Sequence, residues 1–201
     1  MRATDRSSHR DTGKAREYRI AATAACGRRP MELVQAALWA LCGVCALSGG
    51  ISALIENPAE RQKLVDDPSL IPLAADEIVR YVSPVLNFQR TATQDTELRG
   101  KKIKKGQKVL LLYPSANRDE DIFKEPDRFL ADRDPNPHVG FGIGNHFCLG
   151  ANLARMEIRV VLEEVLKRIP DLEYTDGPPK MHPSTLVRSF THMPVRFTPE
   201  A

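Results

Sequence analysis

Cys148 stands near the end of the run Phe141-Gly142-Ile143-Gly144-Asn145-His146-Phe147-Cys148-Leu149-Gly150. The run is rich in glycine and leads directly into an amphipathic stretch. A cysteine on such a loop, at a helix start, meets backbone N–H groups and the positive end of the helix dipole, and both favour a thiolate. A thiolate held this way can act as a nucleophile or as a metal ligand.

The neighbouring residues weigh these chemistries. A dinucleotide loop needs a third glycine at position 147, where Phe147 stands, and a P-loop needs Gly-Lys-Ser/Thr, which the run lacks. A nucleophilic cysteine wants a histidine base; His146 is near, but no orienting acid is evident. Metal ligation fits better. A single thiolate cannot build a structural zinc site, although it can supply the fifth ligand of a haem iron. The other cysteines are Cys26, Cys42 and Cys45. Their scatter suggests no disulfide framework and points to a reducing compartment. Cys42 and Cys45 form a C-x-x-C that reads as two small apolar residues on a hydrophobic helix rather than a redox or zinc pair.

The elements that position Cys148 follow from pattern. Ala151 to Ile169 is the clearest helix, with Leu149, Leu153, Met156 and Val160 on one stripe and Pro170 at its end. Asn57-Pro58-Ala59-Glu60 reads as a helix start with a capping residue, a proline in the first turn and a glutamate three residues on. That helix runs to about Asp66. Another begins at Pro72 and stops at Pro84. Residues 86–113 read as short strands with turns at Arg99-Gly100 and Lys105-Gly106, and Val109 to Tyr113 reads as a buried strand. Residues 114–140 are loop-rich, and Val195-Arg196-Phe197 is a short strand candidate.

Of the 201 residues, 42% are hydrophobic and 27% charged, enough for one domain with a core. Residues 1–30 hold eight Lys/Arg against three Asp/Glu, leaving 21 against 23 in the rest of the chain. The basic leader is expected to be disordered. The near-neutral body gives no reason to expect nucleic-acid binding. The apolar run Ala36 to Leu47 reads as a core helix, since it is short for a membrane span and its charged lead-in is long for a signal peptide.

Taken together, three motifs resemble the cytochrome P450 monooxygenases. F-x-x-G-x-x-x-C-x-G over Phe141 to Gly150 is similar to that family's haem loop, Glu77-Ile78-Val79-Arg80 to its E-x-x-R helix signature, and Pro126-Asp127-Arg128-Phe129 to its meander motif. The likeness spans residues 48–199 and fits bacterial, soluble members; residues 1–47 do not match. It implies a mainly α fold with small β-sheets (α+β), the C-terminal part of the family's domain. It also implies haem b (iron protoporphyrin IX), with Cys148 as proximal iron ligand and Phe141, Gly142 and Gly150 around it. Arg90, His138 and His146 match positions that bind haem propionates. Glu77, Arg80 and Arg128 would form a buried ion-paired core. Arg155 and Arg159 are candidates for a docking face.

The resemblance further implies O2-dependent hydroxylation of a small apolar substrate, with a leaning to steroids or terpenoids. Electrons would come from a ferredoxin and its NAD(P)H-dependent reductase, in the cytoplasm. Family members are roughly twice this length, and their distal helix carries an acid–threonine pair. Leu41 to Leu47, where that pair is expected, contain neither. The chain therefore reads as a truncated form, and the alternative to a working enzyme is a haem-binding or non-catalytic remnant.

Overall fold

The computed structural model describes the backbone of residues 16–19 and all of residues 45–198. Cys26, Cys42 and the apolar run as far as residue 44 lie outside the described residues, as does most of the basic leader. Arg16–Arg19 is an exception to the disorder expected of that leader. It forms strand β1, paired antiparallel with β9 (Pro194–Phe197), with Arg16 opposite Phe197 and Arg19 opposite Pro194. Pairing with β1 satisfies main-chain N–H and C=O groups along one edge of β9.

Helix α1 covers residues 45–56. Its glycines set how closely it approaches α3 (Ile71–Val82): a Cβ on Gly50 would lie 2.9 Å from Ile78 Cδ1. Asn57 does not cap the next helix as expected. Its Nδ2 donates backward to the Ala53 carbonyl at 2.8 Å and so closes α1. Helix α2 (Pro58–Asp66) starts at the proline, and Glu60, instead of reaching back to its cap, accepts from the backbone N–H of Ala131 at 2.9 Å. A buried carboxylate finds a better partner in a loop donor than in a solvated cap.

Helix α3 is amphipathic: Ile71, Ala74, Ala75, Ile78, Val79 and Val82 are buried at helical spacing. It ends at Ser83, in left-handed conformation at φ 45°, just before Pro84. Strands β2 (Asn87–Thr91) and β5 (Lys108–Leu112) pair antiparallel and flank the hairpin of β3 (Thr96–Leu98) and β4 (Lys101–Ile103). Helix α4 (Tyr113–Ala116) follows at once. Its start, together with the exposure of Leu110, Leu111 and Leu112 at 37–53%, corrects the reading of Val109 to Tyr113 as a buried strand. Strand pairing covers edges and not faces, and among the described residues the faces of this two-stranded sheet leave these side chains open.

Helix α5 (Ala151–Arg168) packs on α3 through Ile158, Leu162 and Leu166, all in the main core with Phe129 and Ala131. Its stripe of Leu149, Leu153, Met156 and Val160 faces the other way and is exposed. After α5 come β6 (Glu173–Tyr174), β7 (Lys180–Met181) and β8 (Phe190–His192) before β9. The sheet order β1-β9-β6 closes a smaller core of Ile51, Leu172, Met193 and Val195. The architecture is mixed helix with small antiparallel sheets, the expected α+β class. Among the described residues no helix is long and apolar enough to cross a membrane.

Candidate functional site

The loop from Phe141 to Gly150 is folded on itself by main-chain bonds. The Cys148 N–H donates to the Phe141 carbonyl at 2.9 Å, Phe147 N–H to Gly144 at 3.0 Å and Gly142 N–H to Val139 at 2.8 Å. Gly142 and Gly144 adopt φ of 73° and 71°, which side chains resist. A Cβ on Gly144 would meet nothing within 4 Å, so the glycine is required by conformation and not by crowding. Cys148 is exposed. The helix behind it starts at Ala151 with Gly150 as cap, and no side chain caps its first N–H groups.

Around the sulfur lies apolar surface open to solvent. Ile143 is 75% exposed, Phe147 51% and Leu149 83%, and the α5 stripe continues from them. The β2–β5 sheet adjoins the same loop: the Tyr113 hydroxyl lies 3.6 Å from where a Gly142 Cβ would be, and the Tyr113 ring meets Phe88 edge-on at 5.9 Å. Arg90 rests over Phe88 at 5.9 Å. Its Nη1 donates only to the adjoining Gln89 carbonyl, and among the described residues no carboxylate pairs with it. His146 sits exposed on the 3-10 turn Gly144–His146. The structure thus brings together an exposed thiol, an apolar face, an outward guanidinium and an outward imidazole.

His138 departs from expectation. Its side chain is 4% exposed, and its Nε2 lies 3.1 Å from Asp76 Oδ1. It is engaged by a carboxylate of the protein. Arg155 likewise turns inward to Asp76, at 2.7 Å.

The ion-paired core is present with a different third member. Glu77 and Arg80 are both fully buried, and Arg80 Nε and Nη2 donate to the Glu77 carboxylate at 2.7 and 2.8 Å. The remaining Arg80 donors reach the carbonyls of Asn117, Pro126 and Arg128. Arg133, and not Arg128, completes the cluster, with its Nε 3.0 Å from Glu77 Oε2. The Arg128 side chain is 63% exposed and pairs with Glu125 outside. The phase of the segment explains the exchange. Phe129, Ala131 and Arg133 are buried at every second residue, and Arg128 is out of step with them. That alternation is the signal the motif match overlooked.

A cleft of about 340 Å³ between α1, α3 and the β7–β8 pair, lined by Ser52, Tyr81, Arg118 and Arg188 among others, does not include Cys148. Among the described residues no group of three His, Cys, Asp or Glu could hold a metal ion. A flat macrocycle with an apolar body and anionic rim fits the donor set here: one cysteine sulfur, open apolar surface, the Arg90 guanidinium and the His146 imidazole.

Comparison with known proteins agrees. The family model described as Cytochrome P450 matches residues 62–196. The chain is 46% identical over 156 residues to Steroid C26-monooxygenase of Mycolicibacterium smegmatis, covering 77% of this chain and 39% of that protein. It is 45% identical over 150 residues to Cytochrome P450-terp of a Pseudomonas species, covering 75% and 35%. Among solved structures, a Bacillus megaterium cytochrome P450 in complex with testosterone superposes with a TM-score of 0.75 at 36% identity, over 78% of this chain and 44% of that one. The chain spans 35–42% of the length of the curated relatives it matches. With that family model over two thirds of its length and relatives of 45–46% identity over three quarters of it, the chain belongs to the cytochrome P450 family.

Proposed function

We propose that this chain carries the thiolate side of a haem-dependent monooxygenase site, with residues 48–199 as the unit that bears it. The observation that carries the reading is the exposed Cys148, held by its N–H on Phe141 and surrounded by open apolar surface. In it, Cys148 ligates the iron of haem b, Arg90 and His146 neutralise its propionates, and Phe141 shields the sulfur from water. The haem, when bound, supplies the chemistry that places one atom of O2 in an unactivated C–H bond and releases the other as water. The protein holds the ligand, orients the ring and excludes solvent behind it.

The substrate is a small apolar molecule. Relatives named for steroid oxidation and structural neighbours solved with testosterone and with pseudoionone support a steroid or terpenoid class. Electrons come from a ferredoxin and an NAD(P)H-dependent reductase in the cytoplasm, as the resemblance to bacterial members implies. A second reading, a haem carrier that does not turn over, is favoured by one feature: Leu41 to Leu47 contain neither a carboxylate nor a threonine to pass protons to bound oxygen.

The test is purification with haem and a reduced carbon monoxide spectrum. A red-shifted Soret band lost in Cys148→Ala supports ligation, and colourless protein rejects it. Oxidation of a steroid with a surrogate electron donor then separates the enzyme from the carrier.

A further inference from the structure

We propose that Arg155 and Asp76 form a clamp that fixes the cysteine loop through the ring of Phe141. Arg155 is then a positioning residue for the thiolate and not a docking cation. The clamp rests on geometry alone; only its consequence at the metal depends on the haem reading above.

The clamp begins on α3. Glu77 enters the core, and Asp76, one residue earlier, faces α5. Its Oδ1 accepts from Arg155 Nε at 2.7 Å and lies 3.1 Å from His138 Nε2. The Gly140 N–H donates to His138 Nδ1 at 3.1 Å. Nδ1 is thereby the acceptor of that ring, and the hydrogen resides on Nε2 and points to Asp76. Burial pushes the Asp76 carboxyl upward, but hydrogen bonds from His138 and Arg155, with the charge of Arg155, outweigh it and hold the group below its ordinary range. Asp76 is thus an anion that orients two donors.

Orientation of Arg155 has an effect one step further on. Its guanidinium carbon stands 4.7 Å from the centroid of Phe141. His138 and Phe147 flank the same ring at 5.7 and 6.2 Å. Phe141 is enclosed on three sides, and its carbonyl receives the Cys148 N–H. Any shift of that ring moves the acceptor that fixes the cysteine backbone. A docking cation would stand in solvent without an internal partner. The Arg155 side chain is only 24% exposed and pairs with a carboxylate that is itself 29% exposed.

Amide hydrogen exchange on the full chain tests the clamp without haem. Arg155→Ala and Asp76→Asn are each expected to speed exchange at the Cys148 amide about tenfold, the loss of one charge-assisted bond, while amides of α3 stay protected. Lys167→Ala, an exposed cation on the same helix, should change neither. If Arg155→Ala also strips protection from α3, it has unfolded, and Asp76→Asn decides. Unchanged exchange at Cys148 in a folded variant overturns the proposal. In the haem-loaded chain, the same variants should increase the fraction lacking the red-shifted carbon monoxide band. An unaltered fraction beside a loosened loop would overturn the link to the ligand. No such band even in the unmutated chain counts against the haem reading, and the exchange result still decides the clamp.

Discussion

Arg133 Nε lies 3.0 Å from Glu77 Oε2, across 56 residues of sequence, and this bond ties the segment that leads into the cysteine loop to helix α3. Glu77 also accepts from the Leu130 N–H at 3.0 Å and from Asn136 at 3.2 Å. The carboxylate is saturated by donors from two elements, so its charge is compensated inside the core, as a buried ion must be.

The choice between the two arginines is measurable. Arg133→Ala leaves a buried carboxylate short of a partner and should cost about 3–5 kcal/mol. Arg128→Ala removes an exposed pair with Glu125 and should cost about 1 kcal/mol or less. Urea unfolding of the two variants ranks them, and the reverse order would return Arg128 to the cluster.

Acid should act through Asp76. Its folded value lies below the ordinary one of 3.8. A depressed carboxylate stabilises the fold fully above the unfolded value and loses that contribution as pH falls through the folded one. Below about pH 5, therefore, the unmutated chain should lose stability more steeply than Asp76→Asn, with the difference shrinking toward the acid end. Urea midpoints between neutral and acid pH provide the comparison; parallel curves would contradict it.

Gly144→Ala separates conformation from packing. A Cβ there meets nothing within 4 Å, but φ is 71°. The substitution should cost about 1–2 kcal/mol from backbone strain alone. A neutral change in thermal unfolding would mean that the loop can adopt another path.

The two faces of α5 should answer differently. Ile158 is fully buried, and Ile158→Ala should cost about 2–5 kcal/mol. Met156 is 55% exposed, and Met156→Ala should change stability by about 0.5 kcal/mol at most. Haem retention is the discriminating measurement: if the open stripe supports the macrocycle, the mild variant should hold haem less well than its stability suggests.

Much of this was legible from local pattern. Glu77 and Arg80 meet because residues three apart share a helix face. The loop around Cys148 declared itself by its glycines, and α3 and α5 by their apolar period. What escaped depended on partners far away in sequence. His138 has the chemistry to face a propionate, yet Asp76, 62 residues earlier, claims it. Leu110 to Leu112 look like core residues, but burial depends on what lies across the sheet, and no local pattern states that. Arg128 and Arg133 both lie between Pro126 and Pro135, and only the phase of Phe129 and Ala131 tells them apart.

The guanidinium of Arg80 grips three main-chain carbonyls, those of Asn117, Pro126 and Arg128. Every residue type offers that oxygen. The winding segment between α4 and the cysteine loop is thus fastened by its trace and not by its spelling. Positions 126 and 128 should accept wide substitution so long as the path of the chain is kept, whereas a one-residue insertion between them would unfasten it.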